Sequence, residues 1–225
     1  KMVSFTGSVE TGSKIMADAA KNITKVNLEL GGKAPAIVLK DADLDLAARA
    51  IKQSRVLNTG QVCNAAERVY VDSSVAEEFV AKLTAEMKAT RYGDPLSDQD
   101  LDMGPIINKA GVAKIDGLVA GAKAEGAEVA LGGNVANLGT GNHYEPTVLV
   151  NCRQDMEIVR REIFGPVLPV VQVSGLDEAI EYANDTVYGL TSSIYTRDLS
   201  SALRACGELH FGETYVNREN FAKLL

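Results

Sequence analysis

The spacing of apolar positions switches between strand-like runs and helical periodicity, and that switching lays out most of the chain. A strand over 2–6 meets a turn at Gly7, and a helix over 8–20 follows with Ile15, Ala19 and Ala20 on its inner face. An apolar strand ends in Leu28-Glu29-Leu30 and runs straight into Gly31-Gly32. A strand over 35–39 leads through acidic capping positions into a helix over 45–57, which Asn58, Thr59 and Gly60 break. Further on, strands are expected at 68–72, 129–131, 147–150, 167–173, 190–195 and 214–217. Helices are expected at 75–90, 108–125, 176–184 and 199–206, and 92–102 reads as a polar loop. From residue 34 onward, strands alternate with helices. That order predicts an α/β fold, a mostly parallel sheet with helices on both faces.

Composition narrows the classes. The 225 residues suffice for one large domain or one and a fraction. A content of 46% hydrophobic and 24% charged residues is that of an ordinary soluble protein. A formal charge of −7 argues against a nucleic-acid surface. No apolar run approaches the ~20 residues that cross a bilayer, so no membrane partner is expected, and no signal peptide opens the sequence. Three scattered cysteines, Cys63, Cys152 and Cys206, make neither a disulfide framework nor a metal site. A reducing, cytoplasmic setting is therefore expected. His143 and His210 have no triad or metal spacing and receive no role.

Two stretches stand out chemically. Cys63 sits in a loop between two regular elements, flanked by Gly60-Gln61 and Asn64. An isolated cysteine is more often a buried structural thiol, but these flanks are small or polar rather than apolar. Glu29 lies 34 positions upstream and interrupts an apolar strand just before a glycine pair. Such a carboxylate is either paired or raised in pKa and useful as a base. The two glycines permit a sharp turn or close approach of the backbone to a ligand. Lys33 either pairs with a nearby carboxylate or lines the site. A third stretch, Glu162-Ile163-Phe164-Gly165-Pro166, punctuates the chain just before a buried strand. It reads as a capping Glu and a core Phe, or as a binding loop. The strand, Gly7-Ser8 turn and helix at the start form a layout that can cradle phosphate, although any βα unit shares it.

Together, Leu28-Glu29-Leu30-Gly31-Gly32-Lys33 and Gly60-Gln61-Val62-Cys63 resemble the paired signatures of the aldehyde dehydrogenase superfamily, with Glu162-Ile163-Phe164-Gly165-Pro166 as a third. The resemblance implies a catalytic domain over 31–225 and, over 1–30, the end of a Rossmann-like nucleotide-binding domain. It implies Cys63 as nucleophile and Glu29 as general base. Glu162 would hold the nicotinamide ribose, Phe164 would pack near the nicotinamide ring, and Gly7 and Ser8 would lie near the cofactor pyrophosphate. The cofactor implied is NAD, with NADP also compatible. A homo-oligomer, dimer or tetramer, is expected of the full-length protein. Gly189 to Thr196 and Gly212 to Asn220 look most like the branch acting on small hydroxylated aldehydes such as lactaldehyde and glycolaldehyde, with the second segment at the substrate mouth. Other non-acylating aldehyde or semialdehyde dehydrogenases are the alternative. A non-catalytic chain and a cofactor-free thiol hydrolase are the remaining two.

Overall fold

Two sheets of unequal size, besides a short β-hairpin, divide the computed structural model, which describes residues 1–219. The smaller comes first. Strand β1 (Met2–Thr6), helix α1 (Val9–Ala20) and strand β2 (Lys25–Glu29) form a parallel two-stranded unit, with Thr6 opposite Glu29. Ser8 starts α1 because its hydroxyl accepts from the Thr11 N–H at 3.2 Å, satisfying one of the unpaired first-turn amides.

The larger sheet begins with β3 (Ala34–Val38), fully buried. Pro35 cannot donate to a ladder, and the register with the neighbouring strand shifts between Ala34 and Pro35. Helix α2 (Leu44–Val56) is capped by the Asp43 carboxylate and ends in a 3-10 turn (Leu57–Gly60). Strand β4 (Ala66–Asp72) is buried along its whole length. Then come α3 (Ala76–Lys88), α4 (Lys109–Ala124), β5 (Glu128–Leu131), the short strands β6 (Val135–Ala136) and β7 (His143–Tyr144), and β8 (Thr147–Val150). The one-turn helix α5 (Glu157–Arg160) precedes β9 (Val167–Val173). Helix α6 (Leu176–Asn184), β10 (Thr191–Tyr195), α7 (Leu199–Glu208) and β11 (Glu213–Val216) complete the described chain.

The seven-stranded order is β11-β10-β3-β4-β9-β8-β5, with all neighbours parallel except the edge pair β5–β8. The expected α/β architecture is therefore the one observed. Each face carries its own core. One is built around Ile37, Tyr70, Ile115 and Val171, the other around Val38, Val69, Phe79 and Leu83. The sequence pattern missed α5 and the β6–β7 hairpin, because elements of two to four residues are too short to show a period.

Candidate active site

Three loops converge where the amino ends of β3, β4 and β9 face the carboxyl ends of β1 and β2. The first follows β2 and contains Gly31-Gly32-Lys33. A side-chain carbon at Gly32 would lie 2.0 Å from the Cys63 carbonyl oxygen, and one at Gly31 would lie 2.6 Å from both Glu162 carboxylate oxygens. Glycine is thus required at Gly32, where the obstacle is the Cys63 backbone, and at Gly31 it lets the Glu162 carboxylate lie against the turn. The Gly32 N–H donates to Glu162 Oε1 at 2.8 Å.

The second loop carries Cys63. Asn58 and Thr59 hold positive φ angles of 48° and 60° on its approach, a conformation that a β-branched residue such as Thr59 rarely adopts. Thr59 is held there by its hydroxyl, which donates to the Gly104 carbonyl at 3.0 Å. The Cys63 N–H has no partner among the described residues. The third loop carries Glu162 and Phe164, and Phe164 also has positive φ, at 59°. Backbone strain of this kind persists only where the surroundings enforce it.

The structure brings all the expected site residues to one cavity of about 290 Å³. Gly7, Ser8, Glu29, Cys63, Glu162 and Phe164 line it, with Thr6, Leu30, Gly31 and Lys114. Gly7 contributes as backbone, its own N–H already donated to the Glu29 carbonyl at 3.0 Å. The Glu29 carboxylate is exposed and makes no ion pair among the described residues. Burial raises the Glu162 carboxyl above its usual range, against the opposing pull of the Gly32 amide. Lys114, on α4, was not singled out from the sequence, where it is one of several spaced lysines on an amphipathic helix. Its ammonium also opposes the rise in the Glu162 pKa.

The other thiols differ in kind. Cys152 is buried, and burial pushes its thiol up to about 12. Cys206 is exposed on α7, away from the cavity. Lys33 does not line the site. It is fully buried and pairs with Glu67 at 2.9 Å. The segment expected at the substrate mouth forms part of the large sheet's edge over its described part. Glu213–Val216 is the edge strand beside β10, and Asn217 clasps Thr196 through both its amide atoms. None of residues 212–219 borders the cavity, and Asn220 lies outside the described residues.

Against this geometry the comparisons with known proteins are consistent. The family model described as "Aldehyde dehydrogenase family" matches residues 1–224, and the chain belongs to that family. It is 57% identical to the lactaldehyde dehydrogenase of Escherichia coli K12 over 98% of its length and 46% of the relative's. The crystal structure of the Escherichia coli lactaldehyde dehydrogenase superposes with a TM-score of 0.96, covering 99% of this chain and 46% of that one. A 3,6-anhydro-L-galactose dehydrogenase in complex with NAP is 46% identical, with a TM-score of 0.95, over 99% of this chain and 47% of its own. The betaine aldehyde dehydrogenase of Staphylococcus aureus in complex with NAD+ is 40% identical, with a TM-score of 0.93, over 97% of this chain and 44% of its own. The chain thus spans about half the length of the relatives it matches. No helix among the described residues is long and apolar enough to cross a membrane.

Proposed function

We propose that the full-length protein oxidises a small, hydroxylated aldehyde of the lactaldehyde or glycolaldehyde type to its carboxylic acid, with NAD or NADP as oxidant. The observation that carries this reading is the single cavity shared by Cys63, Glu29 and Glu162. Substrate class rests on the 57% identity to a lactaldehyde dehydrogenase.

The residues fit the nicotinamide-ribose half of such a cofactor. With no side chain at Gly31, the Glu162 carboxylate can lie against the turn and present acceptors to a diol. Lys114 supplies a donor in the same cavity. A nicotinamide held by Glu162 and Lys114 would supply the hydride acceptor beside Cys63.

The chain's own groups divide the remaining work. Cys63, as thiolate, attacks the aldehyde carbon and forms a C–S bond, giving a thiohemiacetal. The unpartnered Cys63 N–H is one donor for its oxyanion. After hydride loss a thioester remains on Cys63. Glu29 takes a proton from water, whose oxygen attacks the thioester carbon. The acid departs and the thiolate is restored. The exposed, unpaired carboxylate of Glu29 suits a base that must reach water.

We assign 1–30 to the end of a nucleotide-binding domain and 31–225 to the catalytic domain, in a homo-oligomer when full length. One strand–helix–strand unit offers no multi-stranded crevice for a dinucleotide. The 225-residue chain alone is therefore expected to bind NAD very weakly and to turn over no glycolaldehyde. Calorimetric NAD titration and reduced-cofactor absorbance check this on the chain, and the same assay on the full-length protein tests the activity. Tight NAD binding by the chain alone would refute the domain assignment. Absence of oxidation of either aldehyde by the full-length protein would refute the function.

A further inference from the structure

We propose that Glu67, which does not touch the cavity, is the positioning residue that holds the three site loops in mutual register, and that it acts chiefly on the cofactor side of the site. The inference rests on the functional reading above. Glu67 sits on β4, 1% exposed, behind the site. Its carboxylate accepts three hydrogen bonds and is ion-paired with a second cation. Oε2 takes the Lys33 ammonium at 2.9 Å and the Ile163 N–H at 2.9 Å. Oε1 takes the Phe164 N–H at 3.0 Å and forms an ion pair with the Arg55 guanidinium at 2.8 Å.

These groups come from three parts of the site. Lys33 follows the Gly31-Gly32 turn, and its ammonium also donates to the Ile158 carbonyl at 2.8 Å. Arg55 reaches on to the carbonyls of Gly60 and Ala66, which bracket the Cys63 loop. Ile163 and Phe164 are the backbone beside Glu162. One buried carboxylate thus fastens all three loops. Only an ionised carboxylate has the acceptors to do so. Glutamine in its place keeps one acceptor oxygen and turns an NH2 toward a donor, so at least one amide or cation loses its partner.

The loop with most to lose is 162–164. Its two amides bond directly to Glu67, and the positive φ of Phe164 must be enforced by its surroundings. Cys63 is tied less directly, through Arg55 and the carbonyls of Gly60 and Ala66. Displacing a supporting loop by about 1 Å can cost on the order of a hundredfold in function. Glu67→Gln should therefore raise the KM for NAD about tenfold or more, while alkylation of Cys63 by iodoacetamide changes less than about threefold.

The experiment uses the full-length protein with Glu67→Gln. The paired variant Lys33→Met/Glu67→Gln, which leaves no unpaired ammonium, is its partner. NAD KM, kcat, Cys63 alkylation rate, melting temperature and hydrogen exchange of the Ile163 and Phe164 amides are read together. Support is a raised NAD KM with lost protection at those two amides and near-normal Cys63 alkylation. An unchanged KM in a folded variant overturns the proposal, whatever the melting temperature. Failure of both variants to fold would make Glu67 purely structural, which also overturns it. Were the unsubstituted protein to show no NAD-dependent oxidation, the functional reading would fail separately. Amide exchange would then decide: unchanged protection at Ile163 and Phe164 overturns the role of Glu67.

Discussion

The two sheets use the same strand–turn–helix grammar and have opposite packing. In β1 and β2 no residue is fully buried, and Gly12 is the only buried residue of α1. In β3 and β4 every residue is buried. Met2, Met16 and Ile23 remain exposed on the small unit, Ile23 at 95%. Yet both regions line the same cavity, the small one through Thr6, Gly7, Ser8 and Glu29 and the large one through Cys63, Glu162 and Phe164. A difference in rigidity follows from the difference in burial. The candidate nucleophile, Cys63, sits on the densely packed side, where its geometry is fixed. The candidate base sits on the sparsely packed side, where a carboxylate can reach water.

Two substitutions test that division in the full-length protein, the larger effect first. Cys63→Ala removes the proposed nucleophile itself. Aldehyde oxidation should fall by about a thousandfold or more, with no burst of reduced cofactor in stopped-flow absorbance. A surviving burst would move the covalent chemistry away from the packed side. Glu29→Gln should behave differently. Water activation follows hydride transfer, so the burst should persist while steady-state turnover falls by about a hundredfold or more. If burst and turnover vanish together, Glu29 acts before hydride transfer and the division of labour is wrong.

The same contrast explains what the sequence made legible. Cys63, Glu29 and Glu162 are visible because each interrupts a local pattern: a thiol in a polar loop, a carboxylate in an apolar strand, a carboxylate before Gly-Pro. Glycines at 31 and 32 announce a close approach, and the neighbours they admit prove to be Glu162 and the Cys63 carbonyl. Glu67 and Arg55 give no such signal. The expected strand starts at Arg68, whereas β4 starts two residues earlier, at Ala66, and takes in Glu67, which with Arg68 forms a charged pair. Both are fully buried, because partners distant in sequence neutralise and bond them. Arg68 donates to the Lys33 and Ala183 carbonyls, 35 and 115 positions away. Long-range compensation of charge leaves no periodicity to read. Lys114 was hidden for a different reason, since a lysine on an amphipathic helix looks solvated whichever way it faces.

The seam between the two regions yields the smallest effect, and it concerns Lys33. One carboxylate, Glu67, serves two buried cations, Lys33 and Arg55. Burial raises the Glu67 carboxyl, but the two cations outweigh it and hold that group below its usual range, ionised. Arg55 cannot give up its proton, because a guanidinium stays charged at any accessible pH. Lys33 is the member that yields, and burial lowers its pKa to about 8 against the opposing pull of Glu67. Unfolded, it titrates near its ordinary 10.5. Between these values the unfolded chain holds a proton that the folded one has released, so folding stability attributable to Lys33 must rise with pH. Below pH 8 both states are protonated and the slope disappears. Chemical denaturation at pH 7, 8, 9 and 10, with Lys33→Met subtracted at each, should show wild type gaining on the order of 1–3 kcal/mol across the upper part of that range. A relative loss between pH 8 and 10 would mean that Glu67 stabilises the ammonium more than burial penalises it, and that the lysine stays charged beneath the site.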